Sequence, residues 1–115
     1  MAKTELSRYR VLAGKEALVK EWMAFLQDHL SEVLLTLEQE KMYVEAIFQE
    51  ELAGVTYLYW FSVQGEGAVD VGDSDFAVDK QHLRYWEACI DSQYGEVLLQ
   101  TNLTMIPDYL TNMMK

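Results

Sequence analysis

The chain is short of the residues that build cross-links and metal clusters. It has a single cysteine, Cys89, and a single proline in 115 residues. One cysteine cannot form an internal disulfide and is a poor start for a structural zinc site. The sequence therefore predicts that Cys89 behaves as a small buried hydrophobic residue.

Basic residues are also scarce. The chain has 9 Lys and Arg against 19 Asp and Glu, which gives a formal net charge of −10. Nucleic acids and anionic lipids are polyanions, so this balance argues against both as partners. The N-terminal residues MAKTELSRYR lack the apolar core of a signal peptide. No apolar run approaches the ~20 residues that a membrane span needs. The sequence predicts a cytoplasmic protein.

Several signatures of known chemistry are missing. The sequence contains no phosphate-cradling glycine loop, nucleophile elbow, CxxC or HExxH motif. No ligand spacing typical of a metal site is present. The sequence thus predicts no cofactor and no metal site.

The pattern of apolar residues predicts one domain over residues 1–115 with the order βαββαβ. Breaker residues such as Gly54 and Gly95 separate the segments. Asp79 is the predicted N-cap of the second helix, and Pro107 begins a short C-terminal helix. The predicted strands are 5–12, 41–52, 55–63 and 96–106, the predicted helices are 15–40 and 80–93, and residues 64–78 form a loop.

This order is that of the ferredoxin-like α+β fold. Right-handed crossovers place both helices on one face of a four-stranded antiparallel sheet. The first helix has a regular apolar stripe at helical spacing. Its members are Leu18, Trp22, Phe25, Leu26, Leu30, Val33 and Leu37.

The uncovered face of this sheet is predicted to be apolar. Alternation places Val55, Tyr57, Tyr59, Phe61 and Val63 on one side of the third strand, with Leu58 and Trp60 on the other. A bare apolar face is too large a patch for a lone monomer. We therefore expect a homodimer through the open sheet face. The alternative is that the C-terminal helix folds back over that face.

Four segments carry a family resemblance. They are residues 10–22 (RVLAGKEALVKEW), 43–51 (YVEAIFQEE), 58–61 (LYWF) and 79–89 (DKQHLRYWEAC). They resemble a bacterial family of small, functionally uncharacterised proteins. More loosely, the chain resembles the dimeric α/β-barrel superfamily, which includes monooxygenases and isomerases. The resemblance implies a dimeric α/β barrel.

His82 and Glu45 are the candidate acid and base groups. His82 lies on the apolar face of the second helix and has an unperturbed pKa near neutrality. Haem-degrading members of the superfamily carry an axial His on the equivalent helix, but they also use an Asn that the first strand lacks here. Glu45 shares a strand face with Ile47, where a carboxylate needs a partner. Arg8 and Arg10 are the expected partners, and both His82 and Glu45 could instead be purely structural.

Aromatic and polar residues supply a candidate ligand-binding set. Aromatic rings with a few polar groups suit a pocket for a flat organic molecule, although packing would also explain them. If His29 shared a cavity with His82 and Glu45, the three could also bind a metal. The predicted ligand-binding residues are Tyr57, Tyr59, Trp86, Tyr85, His29 and Arg10.

Three functions remain open on these observations. The first is a homodimeric protein that binds a small, partly apolar ligand between sheet and helices. The second is a cofactor-independent monooxygenase or isomerase that uses His82 and Glu45. The third is a structural or assembly protein without a pocket.

Overall fold

A computed structural model describes residues 2–66 and 76–114 of the chain. The predicted loop 64–78 lies largely outside these described residues. The elements are β1 (Lys3–Arg10), α1 (Glu16–Asp28), α2 (Leu30–Gln39), β2 (Met42–Leu52), β3 (Val55–Gln64), α3 (Ala77–Cys89), β4 (Val97–Leu98) and α4 (Asp108–Thr111).

The four strands form one antiparallel sheet in the order β2-β3-β1-β4. β1 therefore lies between strands that come later in the chain, as two crossovers require. The connections through α1–α2 and through α3 supply those crossovers. This arrangement confirms the predicted ferredoxin-like α+β fold.

The β2–β3 hairpin turns at two residues with a left-handed backbone. Ala53 has φ 50° and Gly54 has φ 80°. Two consecutive positive φ angles are typical of the tight hairpin turn whose twist matches that of the strands. The turn pairs Leu52 with Val55, and this register continues along the hairpin as far as the pair Val44–Val63.

A bulge at the start of β2 corrects one predicted strand face. Val44 and Ala46 share a face, as alternation predicts, but the register shifts between Met42 and Val44. An extra residue in a strand reverses the direction of the side chains before it. Met42 therefore joins Glu45 on the face covered by helices, whereas the sequence placed it with Val44.

The predicted helix 15–40 is broken into α1 and α2 at His29. His29 has φ −112° and ψ 26°, outside the helical region, and its Nδ1 lies 2.9 Å from the carbonyl oxygen of Phe25. A side chain that bonds a carbonyl one turn back is a common cause of helix bending. The apolar stripe continues across the break, which is why the sequence pattern did not reveal it.

The boundaries of the second helix and the last strand also need correction. α3 begins at Ala77, with Phe76 at the N-cap, and ends at Cys89 instead of residue 93. Asp79 is therefore in the first turn and not the cap. β4 is only Val97–Leu98, because beyond it the chain follows β1 through isolated bonds such as Leu99 N–H to the carbonyl oxygen of Leu6 at 2.9 Å.

The core lies between one face of the sheet and helices α1 and α3. Trp22 and Cys89 are 0 % exposed, and Leu58 is 1 % exposed. Buried Cys89 matches its predicted role. Among the described residues, no helix combines the length and apolarity needed to cross a bilayer.

The opposite face of the sheet, here called the open face, carries the strand residues that point away from the helices. They include Arg8 and Arg10 of β1, Phe48 of β2, and Tyr57 and Tyr59 of β3. Phe48 is 56 % exposed, so the C-terminal segment leaves it uncovered. That segment itself exposes large apolar side chains, namely Leu103, Met105, Tyr109 and Met113.

Candidate functional site

A cavity of about 950 Å³ lies between the sheet and the helices. This volume is within the range of sites for small organic molecules. The wall formed by α1 and α2 is mostly apolar, whereas the sheet and α3 contribute the polar groups. The α1–α2 wall includes Met23, Leu26, Leu30, Val33, Leu34 and Leu37; the sheet and α3 contribute Ser7, Tyr9, Glu45, Trp60, Asp79, His82 and Trp86.

Two tryptophans, Trp60 and Trp86, line the cavity, and the buried Trp22 packs against both of them. The Trp22 ring, on α1, lies 5.6 Å from that of Trp60 on β3 and 5.9 Å from that of Trp86 on α3. Trp60 and Trp86 meet edge to face at 5.1 Å. Packed rings of this kind are well ordered and contribute about 0.5–1.5 kcal/mol per pair beyond their buried area. The cavity therefore has a preformed aromatic end.

His82 is fixed in one tautomer by Trp22. The indole Nε1–H of Trp22 donates to Nδ1 of His82 at 2.9 Å. Since an indole N–H can only donate, Nδ1 must be unprotonated and Nε2 carries the proton of the neutral ring. Burial lowers the pKa of His82, and the charge of Asp79 opposes this by raising it. His82 therefore presents a neutral ring with one N–H.

Glu45 is held by Trp60. The indole N–H of Trp60 donates a short hydrogen bond to Oε1 of Glu45. Burial raises the pKa of Glu45, the hydrogen bond from Trp60 lowers it, and the charge of Asp79 raises it. A carboxyl group with a raised pKa can exchange protons closer to neutral pH than an exposed one.

The predicted partners of Glu45 are wrong. Arg8 and Arg10 lie on the open face, because they alternate with cavity residues Ser7 and Tyr9 along β1. Arg8 donates to the hydroxyl of Tyr94 at 2.9 Å, and Arg10 forms an ion pair with Asp91 at 2.6 Å. The sequence could not tell which face of β1 would meet the helices.

The predicted site residues fall into three places. His82, Glu45 and Trp86 line the cavity. Tyr57, Tyr59 and Arg10 are on the open face, where the Tyr59 hydroxyl donates to Glu50 at 2.6 Å. Tyr85 packs its ring 6.4 Å from that of Trp22, and His29 lies at the α1–α2 break against Phe25; neither is among the described residues that line the cavity.

Asp79 is the main cavity residue that sequence reasoning missed. It is 5 % exposed, and its Oδ2 has no hydrogen-bond partner among the described residues. The sequence assigned it to a helix cap, which would have satisfied it. Its position three residues before His82 could have revealed it, because residues at i and i+3 share a helix face.

A second polar cluster lies at the β4 side of the cavity. Oε2 of Glu96 accepts from the Ser7 hydroxyl at 2.6 Å and from the Tyr9 hydroxyl at 3.0 Å. Burial and the hydrogen bond to Glu96 raise the pKa of Tyr9. Both donors are neutral, so the charge of Glu96 is not balanced by these contacts.

Comparisons with known proteins identify a family and a fold. A profile of the family of unknown function DUF6176 matches residues 2–112. A search of curated proteins found no match. Among solved structures, the chain is similar to an L-rhamnose mutarotase, FA22100, from Formosa agariphila, with 14 % identity, a TM-score of 0.53, and coverage of 90 % of this chain and 99 % of that one. At this identity the likeness supports the fold alone.

Proposed function

The chain belongs to DUF6176, a family of unknown function, and we propose that it is a homodimeric protein that binds a small, partly apolar ligand in the sheet–helix cavity. The observation that carries the proposal is the cavity itself. The α1–α2 wall is mostly apolar, and the sheet and α3 contribute Glu45, Asp79 and His82. Pockets with an apolar lining and a few convergent polar groups are typical ligand sites.

A cavity-filling substitution tests this proposal. Val33 lines the cavity from α2, and Leu35 of the same helix is 54 % exposed and outside the described lining. The probes are benzylamine, benzyl alcohol and benzoate, which share a ring and differ in charge, with binding followed by NMR. We expect at least one probe to bind the native chain, Val33→Phe to abolish that binding, and Leu35→Phe to preserve it. Absence of binding by all three would contradict the proposal.

Self-association is the second part of the proposal. Phe48 and Val44 of the open face are 56 % and 43 % exposed, and the same face of a second chain would cover them. Phe48→Glu should shift the native mass, measured by light scattering at micromolar concentration, toward that of a monomer. Leu35→Glu adds the same charge to an exposed apolar site on α2 and should leave the mass unchanged. A monomeric native chain would contradict this part.

An acid–base isomerase is the second candidate function. It is favoured by one observation: Glu45 and His82 line the same cavity with pKa values moved toward each other, one raised and the other lowered. The similar solved structure is a mutarotase. In opening of a sugar ring, Glu45 would take the proton of the anomeric hydroxyl. As the bond between the anomeric carbon and the ring oxygen breaks and the carbonyl forms, Glu45 would pass that proton to the ring oxygen, which would accept a hydrogen bond from the Nε2–H of His82.

Anomer exchange of L-rhamnose, followed by NMR, tests this candidate. Glu45→Gln should slow exchange by about 10²-fold or more, since general acid–base groups contribute on this scale. Glu50→Gln is the matched control, because Glu50 lies on the same strand but on the open face. Exchange no faster than without protein would reject mutarotation and leave the binding proposal standing.

A further inference from the structure

We infer that the ligand of this cavity carries a positive charge, and that it is an organic amine whose ammonium group contacts Asp79 while its hydrocarbon part lies against α1 and α2. The inference rests on the proposed binding function and adds the chemical class of the ligand.

Asp79 is the first reason. It lies in the first turn of α3, where the partial positive charge of the helix N-terminus favours a carboxylate. It is 5 % exposed, and its Oδ2 lacks a partner among the described residues. A buried carboxylate oxygen without a donor is costly, and the explanations for such groups in native proteins are strain, a catalytic role, or a bound water or ion. An ammonium group supplies both the donors and the opposite charge.

The charge of the cavity is the second reason. No lysine or arginine is among the described residues that line it. Glu45 and Glu96 accept hydrogen bonds from neutral donors, a tryptophan and two hydroxyl groups. Glu5 forms an ion pair with Lys3 at 2.8 Å. A cavity of one sign concentrates ligands of the opposite sign and repels those of its own. Its carboxylates are Glu5, Glu40, Glu45, Asp79 and Glu96.

The aromatic end favours an organic cation over a metal ion. Trp60, Trp86 and Tyr9 form a packed group, with the Tyr9 and Trp86 rings 4.6 Å apart. Aromatic faces attract ammonium groups within about 6 Å. Among the described residues, no group of three or more His, Cys, Asp or Glu side chains is placed to hold a metal ion. The rings and the carboxylates together therefore fit an amine.

The α1–α2 wall indicates the chemistry of the part of the ligand that does not contact Asp79. The α1–α2 wall consists mainly of leucine, methionine and valine side chains facing the charged side. Burying a hydrocarbon chain or ring against such a wall contributes about 25 cal/mol per Å². A small inorganic cation would leave this wall in contact with water. The expected ligand therefore has an ammonium head and a hydrocarbon body.

The three matched probes test the inference. Dissociation constants are measured by calorimetry for benzylamine, benzyl alcohol and benzoate at low ionic strength. We expect benzylamine to bind about tenfold or more tightly than benzyl alcohol, and benzoate to bind weakest, because a charged hydrogen bond is worth more than a neutral one. Benzyl alcohol binding as tightly as benzylamine would overturn the inference and leave the binding proposal intact. If none of the three probes binds, both the inference and the binding proposal are wrong.

A charge-neutral variant locates the ammonium. Asp79→Asn should weaken benzylamine binding about tenfold or more and leave benzyl alcohol binding unchanged. Asp108→Asn removes the same charge from exposed α4 and is the control. Unaltered benzylamine binding in Asp79→Asn would overturn the inference. The ranking of the probes on the native chain keeps the test decisive if Asp79→Asn fails to fold.

Discussion

The two faces of the sheet carry similar carboxyl and aromatic side chains, but the groups that contact those side chains differ. On the open face and beside it, charged groups meet charged or phenolic partners near water, as Arg10 does with Asp91 and Glu50 with Tyr59. On the covered face, Glu45 accepts a hydrogen bond from an indole N–H, and Asp79 has an oxygen without a hydrogen-bond partner among the described residues. Burial raises the pKa of Glu45. The two faces therefore differ in how their carboxyl groups are partnered.

The largest expected contrast between the faces is in stability. Leu58 is 1 % exposed on the covered face, so Leu58→Ala should lower the free energy of unfolding by about 2–5 kcal/mol at any protein concentration. Phe48→Ala on the open face should lower the urea midpoint mainly at concentrations where the native chain is dimeric. Urea denaturation at two protein concentrations checks both. A concentration-independent loss at Phe48 would place it in the subunit's own core.

A smaller effect should follow from removing the donor to His82. Trp22→Phe keeps an aromatic ring but loses the N–H that bonds Nδ1, so it should cost about 1–2 kcal/mol and raise the pKa of His82, because that bond favours the neutral ring. NMR titration of the His82 ring protons measures the shift. Trp86→Phe is the control, because it also replaces an indole by a phenyl ring but leaves the Trp22–His82 bond intact. An equal shift in both variants would show that the bond does not set the tautomer.

The smallest expected effect is on the pH dependence of stability. The raised pKa of Glu45 makes stability fall as pH rises from 4.5, because the folded state holds the proton longer. The lowered pKa of His82 makes stability fall as pH drops below 6.5. Glu45→Gln removes the first trend, so its free energy of unfolding should rise more steeply with pH between these values than that of the native chain.

Asp91 provides the control for that pH experiment. Its pKa is lowered, first by the hydrogen bond from Arg10, so its contribution to stability is lost only as pH falls from 3.8 downward. Asp91→Asn should therefore leave the slope between pH 4.5 and 6.5 unchanged. If Glu45→Gln also leaves that slope unchanged, Glu45 is ionised as readily as an exposed glutamate.

The fold was largely predictable because its signals are local. Alternation along β3 and the Ala53–Gly54 turn fixed the hairpin, and helical spacing identified the apolar stripe. The wrong predictions concern features that depend on single hydrogen bonds or on residues far away in the chain. The break at His29 coincides with a contact between its side chain and the carbonyl oxygen of Phe25, and the bulge before Val44 interrupts an otherwise regular alternation.

The candidate site was only partly predictable. His82 and Glu45 could be chosen from their residue types on apolar faces, and both line the cavity. Their actual partners, Trp22 and Trp60, could not be chosen, because a pattern cannot distinguish a packed indole from one that also donates a bond. Alternation of side chains along a strand predicts that Arg8 and Arg10 share a face of β1. It does not indicate which of the two faces the helices cover.

The most direct test follows the indole N–H signals during titration with the benzyl probes. The chain has three tryptophans; Trp60 and Trp86 line the cavity, and Trp22 packs behind them against the lining residue His82. A bound probe should shift the signals of Trp22 and Trp60, whose N–H groups bond His82 and Glu45, and leave the ring signals of Tyr57 and Tyr59 in place. Binding that shifts the open-face tyrosines and not the indoles would contradict the account.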